Sequence, residues 1–196
     1  MDTVIALGRT LGFSFAAGIN LYATVAILGL ASRYGWVSLP EGYQVFGHSW
    51  IIATALALYV VEFFADKIPW LDSAWDTVHT AIRPLGGAFI AVTTLGEASP
   101  AAKVAAGLLG GTVAASSHFT KAGTRVVANS SPEPFSNWFL SLSEDAFVVG
   151  LGYLALTHPV AALVVSLVAL VTIAIFAAVI VRAVRRRFAR AAPRAA

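Results

Sequence analysis

Seven ionisable side chains fall in one short stretch, Val61 to Gly87 (VEFFADKIPWLDSAWDTVHTAIRPLGG): Glu62, Asp66, Lys67, Asp72, Asp76, His79 and Arg83. Apolar segments flank this stretch on both sides. Asp76, His79 and Arg83 stand at i, i+3 and i+7, a spacing that puts all three along one helical face. His118, Lys121 and Arg125 repeat that spacing further on, and Glu144 and Asp145 sit together in SLSEDA. Asn20, in AAGINLYA, interrupts the middle of the first apolar run. These residues are the candidate site.

Such residues support several chemistries. In the first, they line a path for an ion or small polar solute. The carboxylates of Glu62, Asp66, Asp72 and Asp76, with Glu144 and Asp145 from another helix, bind a cation or relay protons. His79 and His118 titrate near neutral pH and suit a proton-coupled step. In the second, Asp72, Asp76 and His79, joined by His118 or Glu144, hold a divalent metal such as Zn, Mn or Fe. Lys67, Arg83, Lys121 and Arg125 oppose that reading, because they repel a cation. In the third, Arg83, Lys121 and Arg125 hold the phosphate of a lipid or phosphate ester while Asp76 or His79 acts as base. No nucleophile elbow, HExxH or P-loop accompanies them. In the fourth, the charges pair internally in a structural membrane scaffold, and buried pairs are weak evidence of function. The ion or solute pathway is the main expectation. The alternatives are a membrane-embedded metal-binding or lipid- or phosphate-processing enzyme, or a structural scaffold with internally paired charges. An enzyme is the less expected outcome.

The chain that must position these residues is strongly apolar. Of its 196 residues 58% are hydrophobic and 12% are charged, and the mean hydropathy is +0.79. Soluble domains carry about 25% charged residues, so the deficit points to a polytopic membrane protein whose apolar surface faces lipid. There are no cysteines, which removes disulfides, thiolate metal sites and cysteine nucleophiles. Arg182, Arg185, Arg186, Arg187, Arg190 and Arg194 follow the last apolar run, and the positive-inside rule makes that tail cytoplasmic. Nucleic-acid binding is not expected of an arginine tail beside a membrane span. The N-terminus lacks a basic region before its apolar run and reads as a first membrane helix, not a cleaved signal.

The expected fold is all-α and membrane-integral, with about six transmembrane helices, some broken or short, around a charged polar seam. The first span is expected over about Val4 to Ala31, with Asn20 as interhelical glue or a local break. Ser32 to Ser49 is a loop with interfacial Trp36, Tyr43 and Trp50. The second span covers about Trp50 to Ala65, and Pro69 then breaks the helix. Asp72 or Ser73 is expected to cap a third, running to about Gly96 with Pro84 inside it. The fourth covers about Ala101 to Ala128, the fifth about Asn137 to Thr157 and the sixth about Pro159 to Val181. Folding the hairpin about residues 98 to 99 puts His79 near His118 and Asp76 near Lys121. Interruptions at Lys67 to Leu71 and Asn129 to Ser136 are of the kind transporters carry. Small-residue faces, with Gly8, Gly12 and Gly18 on the first span and Gly107, Gly110 and Gly111 on the fourth, suggest close packing within the chain or in a homo-oligomer.

The strings AAGINLYATVAILGLASRYG, VEFFADKIPWLDSAWDTVHTAIRPLGGA, SHFTKAGTR and NSSPEPFSN…SLSEDA resemble the prokaryotic membrane family numbered 4126 among domains of unknown function. The resemblance spans nearly the whole chain apart from the residues after Arg190. It implies a small inner-membrane protein of several helices whose shared feature is the seam, and it brings no substrate with it. Residues 1–182 are thus expected to form one membrane domain, and residues 183–196 a disordered basic cytoplasmic tail. The expected setting is the bacterial inner membrane with both termini cytoplasmic. The expected partners are the bilayer and a small solute or ion, and a divalent metal is the one cofactor the seam suggests.

Overall fold

Every position from Thr10 to Asn20 is buried, which makes the first helix the axis of the fold. A helix enclosed on all sides must be apolar or small all round, and LGFSFAAGI meets that condition. The computed structural model describes residues 2–130, 133 and 135–191. Ser131, Pro132 and Pro134 of the NSSPEPFS turn, and residues 192–196 with Arg194, lie outside the described residues. The elements are α1 (Asp2–Ile19), α2 (Leu21–Tyr34), a 3-10 helix (Glu41–Gly47), α3 (Ser49–Ala65), α4 (Pro69–Thr94), α5 (Pro100–Asn129), α6 (Phe135–Thr157) and α7 (Pro159–Ala191). No strand occurs among the described residues. The protein is all-helical, as its periodicity requires.

The breaks between helices have local causes. The expected first span is two helices, because Asn20 adopts an extended conformation (φ −145°, ψ 99°) and its side chain accepts from the Ala23 amide. That contact caps α2. Beside this break, the Gly18 and Ile19 carbonyls accept from Arg83 and Lys121. At the start of α4, Ile68 is the cap residue and Pro69 opens the helix. The cap expected at Asp72 or Ser73 therefore lies one turn too late. A proline suits the first helical position because its missing N–H has no partner there anyway. Ser99 caps α5 through the Ala102 amide, with Pro100 following. Between α4 and α5, Gly96 supplies the left-handed residue of the turn (φ 57°).

The helices pack through small residues. α1 lies against α4, α5, α6 and α7. A Cβ at Gly18 would collide with the Ala114 carbonyl, and one at Gly110 with Ala91. Gly12 faces Ala155 and Ala162. The small-residue faces are thus used within the chain.

Among the described residues two helices are long and apolar enough to cross a bilayer by length and composition, Phe135–Thr157 and Pro159–Arg187. The 3-10 helix and α3, bent by 64°, make a third if taken as one span. α4 and α5 have the length, at 26 and 30 residues, but they carry the seam charges. α7 continues to Ala191, so residues 183–191, expected as part of a disordered tail, extend the last helix. Alanine and arginine are strong helix formers, which carries the helix past the apolar run. The outer surface is apolar, with Trp50, Leu85, Leu108, Phe139 and Phe176 largely exposed. These apolar helices and surfaces suggest a membrane protein.

Candidate functional site

The seam residues meet in one buried chain of ion pairs. Arg83 Nη1 lies 3.0 Å from Asp76 Oδ1, and Arg83 Nη2 lies 2.8 Å from Glu62 Oε1. Lys121 Nζ reaches Glu62 Oε1 at 3.5 Å, Asp66 Oδ2 at 3.0 Å and Glu144 Oε2 at 3.7 Å. Arg125 Nη2 closes the far end, 3.1 Å from Asp66 Oδ2 and 2.6 Å from Glu144 Oε2. The order Asp76–Arg83–Glu62–Lys121–Asp66–Arg125–Glu144 alternates acid and base across α3, α4, α5 and α6. Glu62 and Arg83 are fully buried, and Asp66, Asp76, Lys121 and Arg125 nearly so. Breaking one buried pair costs about 3–5 kcal/mol, since it leaves an uncompensated charge behind.

Side-chain amides and backbone carbonyls complete the chain. Asn137 Oδ1 accepts from Arg125 Nη1 at 2.6 Å, and its Nδ2 donates to the Asp66 carbonyl at 3.0 Å. Asn20 Nδ2 donates to Asp145 Oδ1 at 3.1 Å, and Asn129 Nδ2 to Asp72 Oδ2 at 2.6 Å. Asp145 and Asp72 are thus held by neutral amides and are not members of the chain of ion pairs. Lys67 stands apart from the pairs. Its ammonium lies over the Phe63 ring and donates to the Phe63 carbonyl and the Ser141 hydroxyl.

The register of the α4–α5 hairpin is as expected, for Thr80 Oγ1 and His118 Nε2 meet at 3.2 Å. The charge pairing is not. Asp76 pairs with Arg83 of its own helix, and Lys121 turns to α3 and α6, where three carboxylates outweigh one. His118 meets Arg83, with Nδ1 2.9 Å from Nη1. His79 instead bonds the Tyr22 hydroxyl and the Trp75 carbonyl.

The metal expectation at Asp72, Asp76 and His79 is corrected by the same geometry. The three side chains face Asn129, Arg83 and Tyr22 respectively. Among the described residues no three His, Asp or Glu side chains are grouped to hold a metal ion. Asp76 is neutralised by Arg83, and Asp72, held by a neutral amide, is not grouped with two further carboxylates or imidazoles among the described residues.

Two openings lead toward the seam. A crevice of about 170 Å³ between α4 and α5 is lined by Ser73, Asp76, Thr77, Thr80 and Arg125, with Ala122 and Val126 supplying apolar wall. Its three hydroxyls each donate to a carbonyl one turn back, so their oxygens remain acceptors. The second opening is an apolar groove of about 330 Å³ between α2 and α3, with Tyr22 in its wall.

Asn137, Asn129 and Tyr22 were not singled out from the sequence. Tyr22 stands two residues after Asn20, and Asn137 opens an apolar run, but a lone amide or phenol carries no signal of its own partner.

The chain matches the family described as domain of unknown function (DUF4126) over residues 7–179. It belongs to the DUF4126 family. No curated protein and no solved structure matches it. Every seam residue from Asn20 to Asp145 lies inside the DUF4126 match, and the arginines from Arg182 onward lie outside it.

Proposed function

We propose that this chain is a multipass membrane protein that carries protons or small cations through the interior of its helix bundle. The observation that supports this best is the crevice between α4 and α5, which reaches Asp76 and Arg125, two members of the buried ion-pair chain. A purely structural set of pairs needs no such access. Ionisable groups held in a membrane interior usually mark an ion or proton path. The chain of pairs holds four carboxylates and three bases, which favours a positive cargo.

In this reading α1 and α2 form one broken span, and α3 to α7 complete six crossings of a bacterial inner membrane. The arginines at the end of α7 then put both termini in the cytoplasm. The crevice, near the start of α4, lies in the cytoplasmic half. The groove runs from Trp50 at the start of α3 to Leu58 and lies in the outer half. The seam stands between the two, as a site reached alternately from each side would.

The test is flux in liposomes containing purified protein, with an internal pH dye and a potassium diffusion potential. Protein-dependent acidification that Asp76→Asn abolishes, with the variant still folded, supports the reading. If neither protons nor sodium or potassium ions move through the wild-type protein, the seam is a set of structural pairs and the proposal fails.

A further inference from the structure

The two histidines of the seam are held in opposite senses. Arg83 can only donate, so His118 Nδ1, 2.9 Å from Nη1, must accept. The ring proton of His118 is then on Nε2, which faces Thr80 Oγ1 at 3.2 Å. A proton on Nδ1 would set two donors against each other. At His79 the logic reverses. Nδ1 lies 2.7 Å from the Trp75 carbonyl, which only accepts, so Nδ1 carries the hydrogen. Nε2 accepts from the Tyr22 hydroxyl at 2.9 Å.

A hydroxyl can donate or accept. A proton added at His79 Nε2 therefore turns the Tyr22 bond around and displaces no heavy atom. The ring is fixed for this, stacked on Trp75 with centroids 4.7 Å apart and edge-on to Tyr22 at 5.4 Å. His79 is 1% exposed, whereas Tyr22 is half-buried and lines the groove between α2 and α3. The charged and titratable groups around His79 are Glu62 from α3, Asp76 and Arg83 from α4, and His118 from α5. Two of them are carboxylates, which favour a new positive charge, while Arg83 opposes it.

We propose that His79 is the proton-accepting group of the seam and that Tyr22 relays the proton to it from the groove. A hydronium ion at the groove protonates the Tyr22 oxygen as the original phenolic proton passes to His79 Nε2. Water is left behind, Tyr22 ends neutral, and His79 becomes an imidazolium that donates to Tyr22. This rests on the proton-carrying reading above and names the group that takes the charge.

The test uses nitrogen-15 NMR of the histidines in the full chain in nanodiscs, titrated with acid, alongside the flux assay. The chain has four histidines, each assigned by its His→Gln variant. The expected result is that neutral His79 carries its proton on Nδ1 and converts to imidazolium, while His118 keeps its Nε2–H neutral form over the same range. Tyr22→Phe is expected to slow proton flux at least about tenfold, in line with the loss of a positioned proton donor, with the Trp75 stack kept. His118 protonating with or before His79, or a neutral His79 with its proton on Nε2, would overturn the proposal. Unchanged flux in Tyr22→Phe would overturn the relay. A His79 that titrates as expected in a protein that moves no protons upholds the acceptor and overturns the transport reading instead.

Discussion

Arg83 Nη2 lies 2.8 Å from Glu62 Oε1 with both side chains fully buried, so one ion pair ties α3 to α4 inside the bundle. The other Nη of the same guanidinium holds Asp76. Arg83→Met leaves two carboxylates without this partner and is expected to cost about 3–5 kcal/mol. Arg83→Lys should recover little, because an ammonium lacks the planar fork that serves two acceptors at once. Thermal unfolding in detergent checks this, and a midpoint equal to wild type in either variant would show that the fork is not needed.

Lys121 gives a sharper test of the pairing. Its shortest ionic contact is Asp66, at 3.0 Å, and it makes none with Asp76. Lys121→Met should therefore be partly rescued by Asp66→Asn and not by Asp76→Asn, since only contacting residues show a coupling of about 0.5–3 kcal/mol. A double-mutant cycle on unfolding midpoints reads the difference directly. Equal rescue by both would mean that the seam responds to total charge and not to contacts.

His118 accepts from Arg83, and its replacements should sort by that role. His118→Asn keeps an acceptor oxygen near the position of Nδ1 and should fold with a small loss. His118→Lys sets an ammonium beside the guanidinium and should fail to give a monodisperse protein, because a buried like-charge pair has no water to screen it. Size-exclusion profiles of the two variants decide the matter. If the lysine variant behaves like the asparagine one, His118 is not pressed against Arg83.

Asn20 does two tasks, capping α2 and bonding Asp145. Asn20→Ala loses both and should cost at least the cap, about 1 kcal/mol. Asn20→Asp keeps the cap oxygen but puts a carboxylate against Asp145, so it should be the worse of the two near neutral pH and improve on acidification. An unfolding series against pH shows whether the order reverses.

Much of the fold is legible in the sequence because its causes are local. Pro69 at the start of α4, Ser99 and Pro100 at the start of α5, and the Gly96 turn each act within a few residues. The seam could be located for the same reason, since Asp76, His79 and Arg83 share a face by helical spacing alone. The break at Asn20 was harder to assign. An asparagine inside an apolar run serves equally as glue or as a cap, and here it is both. Two boundaries differ from expectation: α4 starts at Pro69, one turn before Asp72 or Ser73, and α7 runs on to Ala191, because proline and cap preferences compete at helix ends.

By itself, the sequence determined that the chain is helical, where most helices break, and that acids and bases are concentrated between apolar runs. Those features follow from periodicity, capping and composition, which act along the chain. Only the tertiary structure decided which base meets which acid. Lys121 and Glu62 are 59 residues apart in sequence, and Arg125 and Glu144 are 19 apart. Helix spacing cannot choose among several carboxylates that lie within reach on other helices. The choice is made when burial removes water and each charge must take the partners that packing leaves to it.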